Sequence, residues 1–261
     1  MLSKFNANKI GLIVVVALSL VATTAYAIHS WGNYHWARKA NPFTLKLGDN
    51  VSTAWDSYLL GASADWSVSS VLDTTVVAGN AGSPKRCRAT NGRVEVCNAS
   101  YGNNGWLGVA SIWVSGSHIA KGVVKVNDTY FNTSAYNTTG WRSLVACQEI
   151  GHTLGLGHQD EDFNNTPITP HTCMDYFAPN ASEVVHPNQH DYDQLETIYG
   201  NHLDSITTVG QTITGQGNHN SDIDMAEWGK SVKKDGNGRD SLYERDLGNG
   251  QKIFTFVFWS K

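Results

Sequence analysis

Phe43-Thr44-Leu45-Lys46-Leu47 alternates apolar and polar residues, the period of a half-buried strand. Gly48-Asp49-Asn50 interrupts it, and Trp55, Tyr58, Leu59, Ala62 and Trp66 then recur at helical spacing. An aromatic stripe of this kind is expected to face a core. Val71 to Ala78 and Arg93 to Cys97 read as the next strands, with Asn91-Gly92 marking a hairpin-type excursion between Cys87 and Cys97. Leu107 to Val114 and Gly122 to Val126 read as two more, with His118 in their connection, and the Asn- and Thr-rich run Asn127 to Thr139 as loop. Trp141 to Leu154 is predicted to be a helix with Leu144, Val145, Ile150 and Leu154 toward the core. Pro187 to Tyr199 is predicted to be another, with proline in its first turn and Gly200 closing it. Past a Gly/Thr/Asn-rich stretch, Gly210 to Asn220, Ile253 to Trp259 is a strong strand that sets Phe254, Phe256 and Phe258 on one face. Strand, helix, several strands, two later helices and a last strand give the chain an α+β pattern of elements.

The start of the chain changes the compartment. Lys4 and Lys9, the apolar run Ile10 to Val21 and Ala25-Tyr26-Ala27 have the layout of a signal peptide, expected to be removed after residue 27. The run is too short for a membrane span. A secreted chain is therefore expected, with no membrane attachment once the leader is gone. All four cysteines follow it, an even count that suggests disulfides. The nearest pairings are Cys87–Cys97 and Cys147–Cys173, though the sequence alone allows other connectivities. The net charge of −4 and the lack of any basic block argue against a nucleic-acid partner. The N-x-[ST] triplets at Asn127, Asn132 and Asn137 are acceptor sequences where a host glycosylates secreted chains.

The chemistry concentrates in Gln148-Glu149-Ile150-Gly151-His152-Thr153-Leu154-Gly155-Leu156-Gly157-His158, followed by Cys173-Met174-Asp175-Tyr176. Positions 148 and 152 are one helical turn apart and share a face, so both side chains can meet one metal. Glu149 is one residue round the helix. Gly155 and Gly157 permit the turn that returns His158 as a third donor. With histidine in place of Gln148, the stretch would read H-E-x-x-H-x-x-G-x-x-H. It thus resembles the zinc-binding signature of the metzincin proteases, matrixin- and astacin-like members included, and Met174 resembles their Met-turn. The resemblance covers roughly residues 43–200. It implies a metzincin-like catalytic domain over 28–200, with a mixed twisted sheet, an active-site helix, a Met-turn and a C-terminal helix. Residues 201–261 would then form a β-rich appendage packed on it.

The same resemblance implies a zinc endopeptidase. Gln148, His152 and His158 would hold one zinc ion, Glu149 would act as general base, and Tyr176 would be an auxiliary ligand or oxyanion stabiliser. The substrate would be a protein or peptide, laid antiparallel along an edge strand at Gly108 to Trp113, and the protein is expected to be a monomer. Glutamine offers only a neutral amide oxygen, so three arrangements stay open. Gln148 ligates weakly; or His171, His186 or His190 replaces it; or the chain is a pseudoprotease that binds peptides without turnover. Asp160 or Asp162 is expected to orient a ligand histidine, and calcium at this acidic run is conceivable but has no further support. His29 and His35 have no ligand spacing and are expected at the surface. His118 is likewise without ligand-spaced partners, although matrixin-like members carry a structural metal in this part of the fold.

Overall fold

A computed structural model describes residues 29–164, 171–211 and 227–261. The signal peptide expected at 1–27 and most of the Gly/Thr/Asn-rich stretch lie outside them. In chain order the elements are β1 (His35–Trp36), β2 (Phe43–Asn50), α1 (Asp56–Trp66), β3 (Leu72–Ala78), β4 (Val94–Ala99), β5 (Trp106–Ser115), β6 (His118–Asn127), α2 (Asp128–Phe131), α3 (Thr139–Thr153), α4 (Gln189–Tyr199), β7 (Lys230–Lys234), β8 (Asp240–Gly248) and β9 (Gln251–Trp259). The fold is α+β, built on one mixed sheet with few helices. No helix among the described residues is long and apolar enough to cross a membrane.

The sheet runs β3-β2-β4-β6-β5-β9-β8-β7, with β1 joined to β6 off this path. β3, β2, β4 and β6 are parallel neighbours, and β5, β9, β8 and β7 are added antiparallel. Alternation along β2 sends Phe43, Leu45 and Leu47 inward and Thr44 and Lys46 outward. The aromatic stripe of α1 packs as expected: Trp55, Leu59 and Trp66 are buried, and Trp66 donates its indole N–H to the Cys147 carbonyl at 3.1 Å.

The strand Gly108 to Trp113 is not an edge. β9 lies along it antiparallel, pairing Ala110 with Phe256 and Ile112 with Phe254. In its described residues, the region beyond 201 therefore continues the sheet rather than sitting beside it. The side-chain pattern explains this: Phe254, Phe256 and Phe258 all enter the main core, so β9 gains most by lying where β5 meets α3. Two smaller departures have local causes. The stretch predicted as loop contains α2, capped by Asn127, whose side chain accepts from Thr129 N. α4 starts after Pro187, because Asn188 and Asp191 form a reciprocal capping box. Cys87–Cys97 and Cys147–Cys173 are both bonded.

Candidate metal centre

Helix α3 is buried nearly all round, so its ends must find partners inside the protein. Thr138 caps the start by accepting from Trp141 N at 3.2 Å. At the other end Trp36 Nε1 donates to the Thr153 carbonyl at 2.8 Å, and Tyr199 Oη donates to that of Leu154 at 2.8 Å. Gly155 then turns the chain at φ +100°, where a β-carbon would lie 2.6 Å from the Tyr34 carbonyl oxygen. Only glycine fits both constraints. The returning loop is tied to the segment carrying Met174 through Gln159 N to Met174 O, 2.9 Å, and Tyr176 N to Asp160 O, 2.8 Å. Cys147–Cys173 locks the same segment under α3, with Met174 wholly buried against Gly151.

This framework brings His152 and His158 together with Nε2 atoms 2.8 Å apart. Each imidazole is oriented from behind. His152 Nδ1 faces the Leu156 carbonyl at 2.9 Å, and His158 Nδ1 is bound by the Glu161 carboxylate. With both Nδ1 atoms donating, both Nε2 atoms present lone pairs to one another, an arrangement that calls for a cation between them. Burial holds His152 well below the usual imidazole range. It also lowers His158, against the opposing hydrogen bond and charge of Glu161. Neutral imidazoles are the metal-binding form.

Glu149 is fully buried on the same helix, and neither carboxylate oxygen has a hydrogen-bond partner. Burial pushes it well above the usual carboxylate range. Its closeness to β5 depends on Gly108, where a β-carbon would meet Glu149 Oε1 at 2.6 Å. Gln148 donates Nε2 to the Cys173 carbonyl at 2.9 Å, while its Oε1 is buried and unpartnered. The facing lone pairs of His152 and His158 fit a divalent ion such as zinc, and the orphaned Gln148 oxygen and the unpartnered Glu149 carboxylate stand on the same helix. Of the three alternative histidines, His186 and His190 have side-chain partners, whereas His171 keeps a buried, unpartnered Nδ1. His171 stacks on Phe177, His186 pairs with Asp65 at 2.9 Å, and His190 Nδ1 lies 3.1 Å from Gln159 Oε1.

Several expectations change. The carboxylate behind His158 is Glu161, not Asp160 or Asp162, whose Oδ1 atoms are taken by backbone amides of their own loop. Glu161 stands three residues after His158, a spacing the acidic run concealed among three other polar residues. Lys233 of β7 reaches it at 3.1 Å. His29 and His35 are buried rather than superficial, because the lead-in that carries them packs beside the His158 loop. Tyr176 is buried with its ring 4.7 Å from that of His158, but its hydroxyl donates to the Val257 carbonyl of β9 at 3.1 Å. Phe256 lies flat on His152, centroids 4.1 Å apart. A cavity of about 410 Å³ reaches His158, Glu161 and Phe256 from the side of the lead-in and β7.

No protein-family model matches the chain, and no curated protein matches it. Among solved structures, high choriolytic enzyme 1, a hatching-enzyme zinc protease from the medaka fish Oryzias latipes, is similar with a TM-score of 0.36 and 13% identity. The match covers 65% of this chain and 96% of that one. At that score the likeness assigns no role to any residue.

Proposed function

We propose that this chain is a secreted zinc-dependent endopeptidase of metzincin type, held in a self-capped form by its own C-terminal strand. The observation that carries the proposal is the pair of facing, lone-pair-bearing imidazoles of His152 and His158 beside an unpartnered, buried Glu149. His152 and His158 would hold zinc through Nε2, with Gln148 Oε1 as the weaker third donor. Zinc, when bound, supplies a Lewis acid and brings the pKa of a water down to about 7. With the ion bound and water admitted, Glu149 would be ionised by the neighbouring positive charge and would take a proton from the attacking water and return it to the leaving amine.

The cap resembles a substrate in its placement. β9 runs antiparallel to β5, in the lane where an extended peptide would add as a strand. The Val257 carbonyl receives the Tyr176 hydroxyl, which would otherwise be free to stabilise a developing oxyanion. Withdrawal of β9 would open the lane, the metal centre and Tyr176 together.

A second reading is a metzincin-like binding protein without turnover. It is favoured by Gln148, whose amide is spent on the Cys173 carbonyl, and by the depth at which β9 is built into the core. Zinc content and cleavage of an unfolded protein substrate separate the two. The enzyme reading expects zinc in the wild type and cleavage that appears or rises in Phe256→Ala and vanishes in Phe256→Ala/Glu149→Ala. Bound zinc with no cleavage by either variant would favour the binding protein. A chain that takes up no zinc in any form would defeat the metal centre itself.

A further inference from the structure

A separate cluster of imidazoles gathers at the seam between the N-terminal lead-in and the segment after α4. His35 Nε2 lies 3.3 Å from Asp204 Oδ1 and 3.3 Å from His202 Nε2, and His118 Nε2 lies 3.2 Å from the same Asp204 oxygen. The ligand atoms of His35, His202 and Asp204 fall within 4.8 Å of one another. We propose that His35, His202 and Asp204, with His118 beside them, form a second divalent-metal site, a zinc-class staple joining the two ends of the catalytic unit.

The distances have the right size. Zinc–nitrogen and zinc–oxygen bonds of about 2.0–2.1 Å set the edges of a tetrahedron of ligands at roughly 3.3 Å. The donors are also oriented for it. His35 Nδ1 faces the Asn33 carbonyl at 2.7 Å, which leaves Nε2 with its lone pair toward Asp204 and His202. Asp204 is held by its other oxygen, which accepts from Arg38 Nη1 at 2.8 Å and from Arg38 N at 3.2 Å, so Oδ1 is turned to the imidazoles. Lone pairs of two imidazoles and a carboxylate converge, and a cation is what would hold them there. Arg38 Nη1 also lies 3.2 Å from His202 Nε2, a contact the metal would replace.

Imidazoles with one carboxylate suit zinc and its transition-metal neighbours rather than calcium or magnesium. A cavity of about 400 Å³ lined by His35 and His202 gives an ion access from solvent. The set shares no residue with the His152–His158 pair. His35, His202 and Asp204 also lie outside residues 43–200, to which the metzincin resemblance is confined. A staple here would fix the lead-in, whose Ser30 bridges Leu156 and whose His29 carbonyl accepts from Gly157 N, and so steady the loop that carries His158.

The test uses the full mature chain, stripped with chelator and reloaded with zinc, with metal per chain measured by mass spectrometry. His202 is exposed, so His202→Ala should keep the far-ultraviolet dichroism of the wild type while binding one zinc ion fewer. His158→Ala should retain this ion, and with cobalt in place of zinc should show the visible absorption of a tetrahedral site. Equal zinc stoichiometry and affinity in wild type and His202→Ala would overturn the proposal. The two sites fail separately: an ion lost in His202→Ala but kept in His158→Ala supports the staple alone, and the converse leaves only the catalytic centre.

Discussion

The ring of Phe256 lies nearly parallel to the imidazole of His152, 10° between planes and 4.1 Å between centroids, so a strand remote in sequence closes the site from above. Both rings are buried, Phe256 within the main core. Phe256→Ala should cost about 3–5 kcal/mol of stability, the usual range for emptying a buried phenylalanine site. It should also expose His152 to diethyl pyrocarbonate, read by mapping modified peptides. Protection of His152 in a variant that is folded but destabilised would mean that β9 does not control access.

Gln148 ties stability and metal binding together with opposite signs. Its amide satisfies the buried Cys173 carbonyl, a hydrogen bond worth about 1 kcal/mol net. Gln148→His should therefore melt earlier than wild type in chelator. Imidazole is the better zinc donor, and a tenfold gain in affinity, about 1.4 kcal/mol, should reverse the order when zinc is added. Melting temperatures of both proteins with chelator and with zinc decide it. The same order in both conditions would mean that position 148 does not reach the ion.

How far the fold is legible in the sequence varies from element to element. β2 and α1 follow from alternation and from the aromatic stripe, because one face of each is buried and the other is not. The pairing of His152 with His158 follows from helical spacing and a glycine turn. β9 is different. Its alternation declares that Phe254, Phe256 and Phe258 share a face, but periodicity carries no information about which strand will be its neighbour. β5 therefore reads as an edge until β9 is seen lying on it. His35, His118 and the neighbouring pair His202 and Asp204 stand far apart in the chain and meet only through packing, so no local spacing announces the cluster.

His29 and Asp191 supply a pH dependence with two opposing parts. His29 Nε2 and Asp191 Oδ1 are 3.3 Å apart but not aligned for a hydrogen bond. Burial lowers His29 to about 4 and raises Asp191 to about 7. For His29 the unfolded chain binds the extra proton between about pH 6.5 and 4, so acidification through that window costs stability. For Asp191 the folded chain holds the proton, and stability is lost as pH rises from about 4 to 7. His29→Ala should leave the second slope and Asp191→Asn the first. Relative to the wild type, denaturant midpoints at pH 4.5, 5.5 and 6.5 should therefore tilt downward with rising pH in His29→Ala and upward in Asp191→Asn. Parallel profiles in the two variants would contradict this assignment.

The two disulfides should differ in worth and in kind. Cys147–Cys173 spans 26 residues and Cys87–Cys97 spans 10. Loop-closure entropy grows with the logarithm of loop length, so the longer bridge should contribute about 0.8 kcal/mol more to stability. Paired serine substitutions at each bridge, compared by denaturant unfolding, measure the difference. Zinc affinity separates them further. Cys147–Cys173 fixes the segment carrying Met174 against α3, where the Cys173 carbonyl orients Gln148, whereas Cys87–Cys97 sits in a smaller cluster on another part of the sheet. Removing the first should weaken zinc binding as well as folding, and removing the second should weaken folding alone. Equal loss of zinc affinity from both would mean that the metal centre responds to overall stability and owes nothing particular to the Cys147 anchor.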